Sequence, residues 1–530
     1  MKKLSFYSLF CFATILLSLS CIPNIAGLNI DQNSATSIDP SYLISTGMLN
    51  IGGEYENTRC VNIHASQFIQ HTATTTTTWA GGDKYWYNMQ YSGAYMERHF
   101  TDVAKYFSNA IDLTKDKPTL VNINAIATII RAFDLHRMTD IYGDIPYNQA
   151  GYGLQNPANW FPTYQSQQDV YTAIINDVKA ARDKLAPTSA TVNAFPANQD
   201  FIYSGDILKW KKFANALLMR IALRMSKVAP TVAQGVFIEA NNSGTFDSNV
   251  DNAFIHYAGN PSGINRNGLS DGYLGVTNYL NTQNIRISKT FVDWMKTNAD
   301  PRLLIICGGI GTPMQNPTSV NIAVDSQRGL PNGFVDANLR QNLSSNLQPL
   351  FDVNQYNIFS FPNYKCFDWT DPYYLITYSE TQFMKAEAAV NGWISTDATT
   401  HFVNGVTAAI KNWVSFDPNF TTADANISSY INGRGFAAAS NTDKLRLIGE
   451  EYWAATYLND IESWSNWRRT GYPVLVPTMD PNATELPNAI PRRLRYYETE
   501  KSANEANYLK AVQRMGGDLF ATKVWWDGGK

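Results

Sequence analysis

The stretch "YSGDILKWKKFANALLMRIALRMSKV", Tyr203 to Val228, carries the clearest structural signal in the chain. Trp210, Phe213, Ala214, Leu217, Ile221, Met225 and Val228 recur at spacings of three and four. That period predicts one buried stripe along an α-helix. Asp206 is a good N-cap, because its carboxylate can accept bonds from the first free backbone N–H groups. Pro230 limits how far the helix can run. Arg220 and Arg224 lie one turn apart near the edge of the stripe. The same reading extends outward. Asp169 to Leu185 places Val170, Ile174, Val178, Ala181 and Leu185 on one face. Helical patterning returns over Tyr374 to Trp393, His401 to Trp413 and Asp443 to Trp467. Ala386, Ala388 and Ala389 allow close helix approach. Strand signals are sparse and short. The prediction is a mostly α protein of paired helices, TPR-like in packing but without a clean repeat period.

Between these helices, residues 241–370 change character. "NNSGTFDSNVDN" (241–252), "GNPSGINRNGLSDGYLG" (259–275) and "GLPNGFVDANLRQNLSSN" (329–346) read as long irregular loops. Long ordered loops in a packed protein usually carry function. The 530 residues hold a formal charge of -3, too near neutral for a nucleic-acid surface. Aromatics reach 13%, and many sit in loops, where amphipathic rings suit ligand contact. The N-terminus begins Met1-Lys2-Lys3 and continues in an apolar run, Leu4 to Leu19, too short to be read first as a membrane span. It ends at Ser20-Cys21. This resembles a bacterial lipoprotein signal cleaved before Cys21, although Ser18 stands where leucine is usual. Residues 22 to about 40 read as a polar tether. Cys60, Cys307 and Cys366 have no paired spacing and indicate neither a disulfide framework nor a zinc site. After Leu28 no apolar run is long enough to cross a bilayer.

Familiar catalytic motifs are missing: no GxSxG elbow, no HExxH, no Walker loop. The six histidines show no metal-ligand spacing, and no cofactor is expected. Glu450-Glu451 and Asp460/Glu462 are carboxylate pairs that a glycoside hydrolase could use. They lie in helical patterning, where ion-paired faces are the commoner role. "TDIYGDIPYNQA" (139–150) holds Asp140 and Asp144 four apart. Gly143 and Pro146 mark a tight turn there, and aspartate commonly bonds turn backbone.

Several segments together resemble the SusD/RagB family of outer-membrane lipoproteins. In order these are "LNIDQNSATSI" (28–38), "DIYGDIPYNQA" (140–150), "PTYQSQQDVYTAI" (162–174), the helix above, "DPRL" (300–303), "RGLPNG" (328–333), "YSETQFMKAEAAVNGW" (378–393), "ESWSNWRRTGYPVL" (462–475), "IPRRLRYYETEKSANEANY" (490–508) and "VWWD" (524–527). The central helix is close to the family's GD-x-x-x-W-x-K-F-A-N-S-L-x-x-R pattern, with Ala216 in place of serine. The resemblance implies a non-enzymatic nutrient-binding protein with a SusD-like fold, TPR-like helix pairs and a loop-rich ligand face. It implies a signal peptide over 1–20, a lipidated tether over 21–48 and one domain over 49–530. The scaffold would fall at about 49–240 and 371–530, and the ligand region at about 241–370. The implied partners are a SusC-like TonB-dependent transporter, the outer membrane through lipid on Cys21, and an oligosaccharide or peptide ligand, with no nucleic acid. In the family the turn at Asp140 to Ala150 recurs with different ligands, so Asp140 and Asp144 are expected to be architectural, as are Arg468 and Arg469, bonding carboxylates or helix ends. Candidate ligand aromatics are Trp79, Tyr85 and Trp86 around Gly81-Gly82, with Tyr273 and Trp369 from the loop-rich middle. An all-helical surface glycoside hydrolase and a surface adhesion or scaffold protein are the alternatives.

Overall fold

The computed structural model describes residues 38–53, 60–75, 81–259, 264–270, 285–311, 320–351, 357–478, 480, 483, 486 and 488–529. Helix α1 spans Pro40–Gly53, so packed structure begins ahead of residue 49. α2 (Lys105–Thr114), α3 (Val121–Tyr142), α4 (Gln167–Lys184), α5 (Ile207–Arg224) and α6 (Pro230–Asn242) follow, each packed on the next. After the short α7 (Lys289–Thr297) come α8 (Tyr378–Val390), α9 (Ala398–Lys411), α10 (Asn441–Ala455), α11 (Asp460–Thr470) and α12 (Glu505–Met515). α8 pairs with α9 and α10, and α10 with α11. This mostly α scaffold of paired helices matches the patterning of the sequence.

α5 is built as its sequence predicts. Asp206 Oδ1 accepts from the N–H groups of Leu208 (2.9 Å) and Lys209 (3.1 Å). Trp210, Phe213, Leu217 and Ile221 are buried without exposure. Arg220 and Arg224 differ from their expected place at the edge, because both are buried. Guanidiniums survive in a core only when paired. Arg220 bonds Glu380, and Arg224 bonds Asp140 (3.1 Å) and Glu462 (2.7 Å). α3 is buried almost all round, which accounts for its lack of a clean amphipathic stripe. Its Arg137 donates to the Tyr374 carbonyl (3.0 Å) and to Asn459 Oδ1 (2.7 Å), tying the N-terminal helices to the C-terminal ones.

Two helical expectations change. Tyr373–Ile376 is a strand, and the helix starts only at Tyr378. Thr377 and Glu380 form a reciprocal capping box that fixes that start. Asp443 to Trp467 is two helices, broken where Leu458 takes a left-handed φ of 74°. Close approach in α8/α9 comes from α9 as well. A side chain at Gly405 would meet the Phe383 ring at 2.8 Å.

Among the described residues the strands are short and form three antiparallel pairs. β1 (Thr72–Thr74) lies on β3 (Ile285–Ile287), with Thr72 opposite Ile287. β2 (Ala253–Ile255) lies on β6 (Tyr373–Ile376), and β4 (Cys307–Gly309) on β5 (Phe361–Pro362). Between these pairs the described part of 241–370 is irregular chain and turns, with three-residue 3₁₀ segments and the short helices Lys289–Thr297, Leu303–Ile306 and Asp336–Asn342.

Candidate functional site

The segment after β1 is held unusually firmly for a surface loop. Gly82 has no room for a side chain, since a Cβ would stand 1.6 Å from the Ile63 carbonyl oxygen. Asp83 and Lys84 form a buried ion pair at 2.7 Å. Lys84 Nζ also donates to the Thr74 carbonyl (2.6 Å), and Asp83 Oδ2 accepts from Gly333 N–H (3.1 Å). The loop is thereby fastened to β1 on one side and to the "RGLPNG" turn on the other.

Of the five aromatics named from sequence, Trp79 and Tyr273 lie outside the described residues. Tyr85 is core: it is 5% exposed, packs edge-on against Phe68 and accepts from Thr478 N–H (3.3 Å) through its phenol oxygen. Its backbone takes a left-handed φ of 60°, uncommon for a residue with a side chain. Burial pushes its phenol well above the ordinary tyrosine range. Trp86 is half-buried beside Gly81, and its indole N–H has no partner among the described residues. Trp369 is half-buried on a different loop, with the Arg266 guanidinium 5.4 Å from its ring and its carbonyl accepting from Asn267 N–H (2.9 Å). Next to it, burial pushes the Asp371 carboxyl up to about 7.

A cavity of ≈450 Å³ opens beside the pinned loop. Gln70, Lys289, Asn332, Phe334, Val476 and Asp480 contribute to its wall. Asn332 donates to the Thr72 carbonyl (2.9 Å), while its own side-chain oxygen has no partner among the described residues. An apolar ring, amides, the Lys289–Asp293 ion pair and the Asp480 carboxylate around a concave surface can take a neutral polyhydroxylated ligand. Sequence reasoning quoted "RGLPNG" as a marker and did not assign Asn332 to a wall. The Gly, Pro and Asn composition signalled a turn, but nothing in it indicated which chain segment the turn faces.

The carboxylates named from sequence as enzyme candidates are all engaged. Asp140 accepts from Tyr171 (2.5 Å), Trp526 Nε1 (2.9 Å) and Arg224. Asp144 accepts from Gln167 N–H (2.8 Å) and Arg514 (2.5 Å). These bonds join α3 to α4, α5 and the C-terminal segment, so the pair knits helices together, a wider role than bracing one turn. Glu451 lies against Arg302 (2.8 Å) and Arg434 (3.0 Å), and Glu450 against Arg434 and Arg446. Burial alone would raise Glu462, yet Arg220 and Arg224 hold it down at about 2. Asp460 is bonded to His71 at 2.6 Å. Arg469 grips Glu387 with both terminal nitrogens, at 2.5 and 2.7 Å. Arg468 departs from its expected carboxylate or helix-end partner. It donates to the Arg492 carbonyl (2.7 Å) and stacks 3.9 Å from the Trp464 ring centre.

A family model described as "Starch-binding associating with outer membrane" matches residues 32–497. A solved chitin-binding protein is 30% identical and superposes with a TM-score of 0.78, over 92% of this chain and 100% of its own. A Bacteroidetes SusD-like protein is 24% identical, TM-score 0.79, over 92% of this chain and 100% of its own. A chitin-binding SusD homolog from Flavobacterium johnsoniae is 23% identical, TM-score 0.74, over 92% and 98%. No curated protein sequence matches the chain.

Proposed function

Since the chain belongs to the SusD-like family of outer-membrane-associated, starch-binding proteins, we propose that it is a cell-surface lipoprotein that binds an oligosaccharide and delivers it to a SusC-like TonB-dependent transporter. The observation that carries the ligand class is the full-length likeness to a chitin-binding protein at 30% identity. A rigid helical scaffold with loops fastened to it is a suitable base for such a site. Affinity then comes from preformed surfaces, with little ordering cost on binding. Trp86 and Trp369 are the described aromatics we assign to ligand contact, with Trp79 and Tyr273 as further members of the arc. Tyr85, buried one residue before Trp86, anchors that part of the loop. Asn332 and Asp480 in the adjoining cavity supply hydrogen-bonding groups for sugar hydroxyls. Binding without turnover is supported by the paired state of every carboxylate pair considered above.

The test is isothermal titration of the purified protein with chitohexaose and with maltohexaose, beside product analysis of the same mixtures. Saturable binding without cleavage, weakened about tenfold by Trp86→Ala at unchanged melting temperature, is the expected result; that factor corresponds to about 1.4 kcal/mol of ring contact. Cleavage products would assign the protein to the hydrolases. Binding of neither sugar would remove the oligosaccharide assignment.

A further inference from the structure

Far along the chain from these loops, one short segment exposes what the rest of the protein buries. Trp160 is 66% exposed and Phe161 60%, and among the described residues every other Trp and Phe is buried or half-buried. Leu154 beside them is 77% exposed. Apolar surface left in water costs free energy, so adjacent exposed rings call for an occupant.

The rings are held rigidly. Asn156 caps a 3₁₀ turn, Pro157–Trp160, by accepting from Ala158 N–H (3.0 Å). Trp160 Nε1 donates to the Gly153 carbonyl (2.9 Å), and a side chain at Gly153 would press on the indole at 3.1 Å. Gln149 accepts from Thr163 N–H (2.7 Å) and donates to Asn159 (3.1 Å). Asn507, from α12, donates to the Phe161 carbonyl (3.1 Å). A flexible surface loop would need none of these ties.

The rim chooses the occupant. Within the segment itself, from Tyr147 to Gln168, there is no charged residue, while Asn148, Gln149, Gln155, Asn156 and Asn159 supply amides; the Glu500 carboxylate packed against it is taken up by Tyr164 (2.8 Å) and Asn504 (3.3 Å). Hot spots between proteins combine aromatics with Arg, and anionic surfaces are read with Arg and Lys; this segment carries neither cation. Neutral amides around a fixed aromatic face suit a neutral sugar, whose ring presents C–H groups to the aromatic and hydroxyls to the amides. We propose that segment 151–162 is a second glycan platform, on which Trp160 and Phe161 stack against pyranose rings of a long oligosaccharide. This inference rests on the oligosaccharide reading above. A second weak contact on one polymer raises retention by avidity, and leaves short-chain affinity at the first site unchanged.

The experiment is affinity electrophoresis of the whole protein through gels containing soluble starch or glycol chitin, with hexasaccharide titrations in parallel. Trp160→Ala and Phe161→Ala should each reduce retardation by the recognised polymer about tenfold, with unchanged melting temperature and hexasaccharide affinity. Trp160→Tyr, which keeps an aromatic face, should restore most of it. Undiminished retardation of Trp160→Ala overturns this platform and leaves the first site standing. A wild-type protein retarded by neither polymer and binding neither hexasaccharide overturns the glycan reading itself. If Trp160→Ala keeps polymer binding and instead loses co-purification with a β-barrel transporter, the patch is a protein surface and the platform is wrong.

Discussion

Asp140 is a single carboxylate serving three helical neighbours, Tyr171, Arg224 and Trp526. Changing it to asparagine removes the charge and forces one amide N–H toward donors. The Arg224 guanidinium then loses half of its buried compensation, a cost of about 3 kcal/mol. For a domain of this size that shifts the midpoint by about 3 °C, since unfolding entropy grows with length. Asp144→Asn should cost less, because Arg514 is partly exposed and water can replace the lost charge. Thermal unfolding of both variants tests the order, and equal or zero shifts would contradict it. His136 sits beside Asp140 at 3.5 Å, fully buried. Burial, reinforced by Arg224 and opposed by Asp140, pushes its imidazolium down to about 4. The unfolded chain takes that proton near pH 6.5, so its share of stability is complete above pH 6.5 and falls by about 3 kcal/mol as pH drops to 4. His136→Gln should therefore lose about 3 °C less than wild type between pH 7 and 4.5. Parallel curves would mean that His136 is protonated in the fold.

At the scale of elements, what the sequence made legible follows how local each signal is. Asp206, the apolar stripe and Pro230 sit inside one segment, and α5 forms where they predict. Asp206→Ala should cost about 1 kcal/mol and Asp206→Asn almost nothing, read as urea midpoints at constant slope. An equal loss in both would show that the charge, and not the cap geometry, matters. The strand at Tyr373–Ile376 is not legible in the sequence because its residues are buried on both faces, so no period of two survives. Its identity comes from pairing with β2, about 120 residues earlier. The break before α11 was equally hidden, since Leu458 carries no Gly or Pro warning. Arg220 and Arg224 looked like edge residues because their partners, Glu380, Asp140 and Glu462, belong to other helices. The same limit applied to the site. A Gly-Gly turn among aromatics announced a loop, but the burial of Tyr85 depends on Phe68 and Thr478. The exposure of Trp160 likewise appears only once α12 and its neighbours are placed. Composition names the residues that could touch a ligand, and packing decides which of them face water.

For the molecule as a whole, the question is how a protein with no membrane-crossing helix among its described residues would remain at a membrane. The family description places its members with the outer membrane. The sequence offers one means, a charged start, an apolar run and Ser20-Cys21, ahead of a polar stretch that reaches helix α1 at Pro40. One acyl chain holds a protein only marginally, whereas several on one cysteine give stable anchoring. Under the proposed function, anchoring would also serve delivery, because confining binder and transporter to one surface would raise their effective concentration without any new contact. Cys21→Ala should therefore move the protein from the membrane fraction to the soluble fraction while leaving hexasaccharide affinity unchanged in the purified protein. Growth on the cognate polysaccharide should slow in the same strain, because capture would no longer be coupled to uptake. A Cys21→Ala protein that stays in the membrane fraction after a high-salt wash would place the anchor elsewhere in the chain. One that becomes soluble yet supports normal growth would show that delivery depends on transporter contact alone.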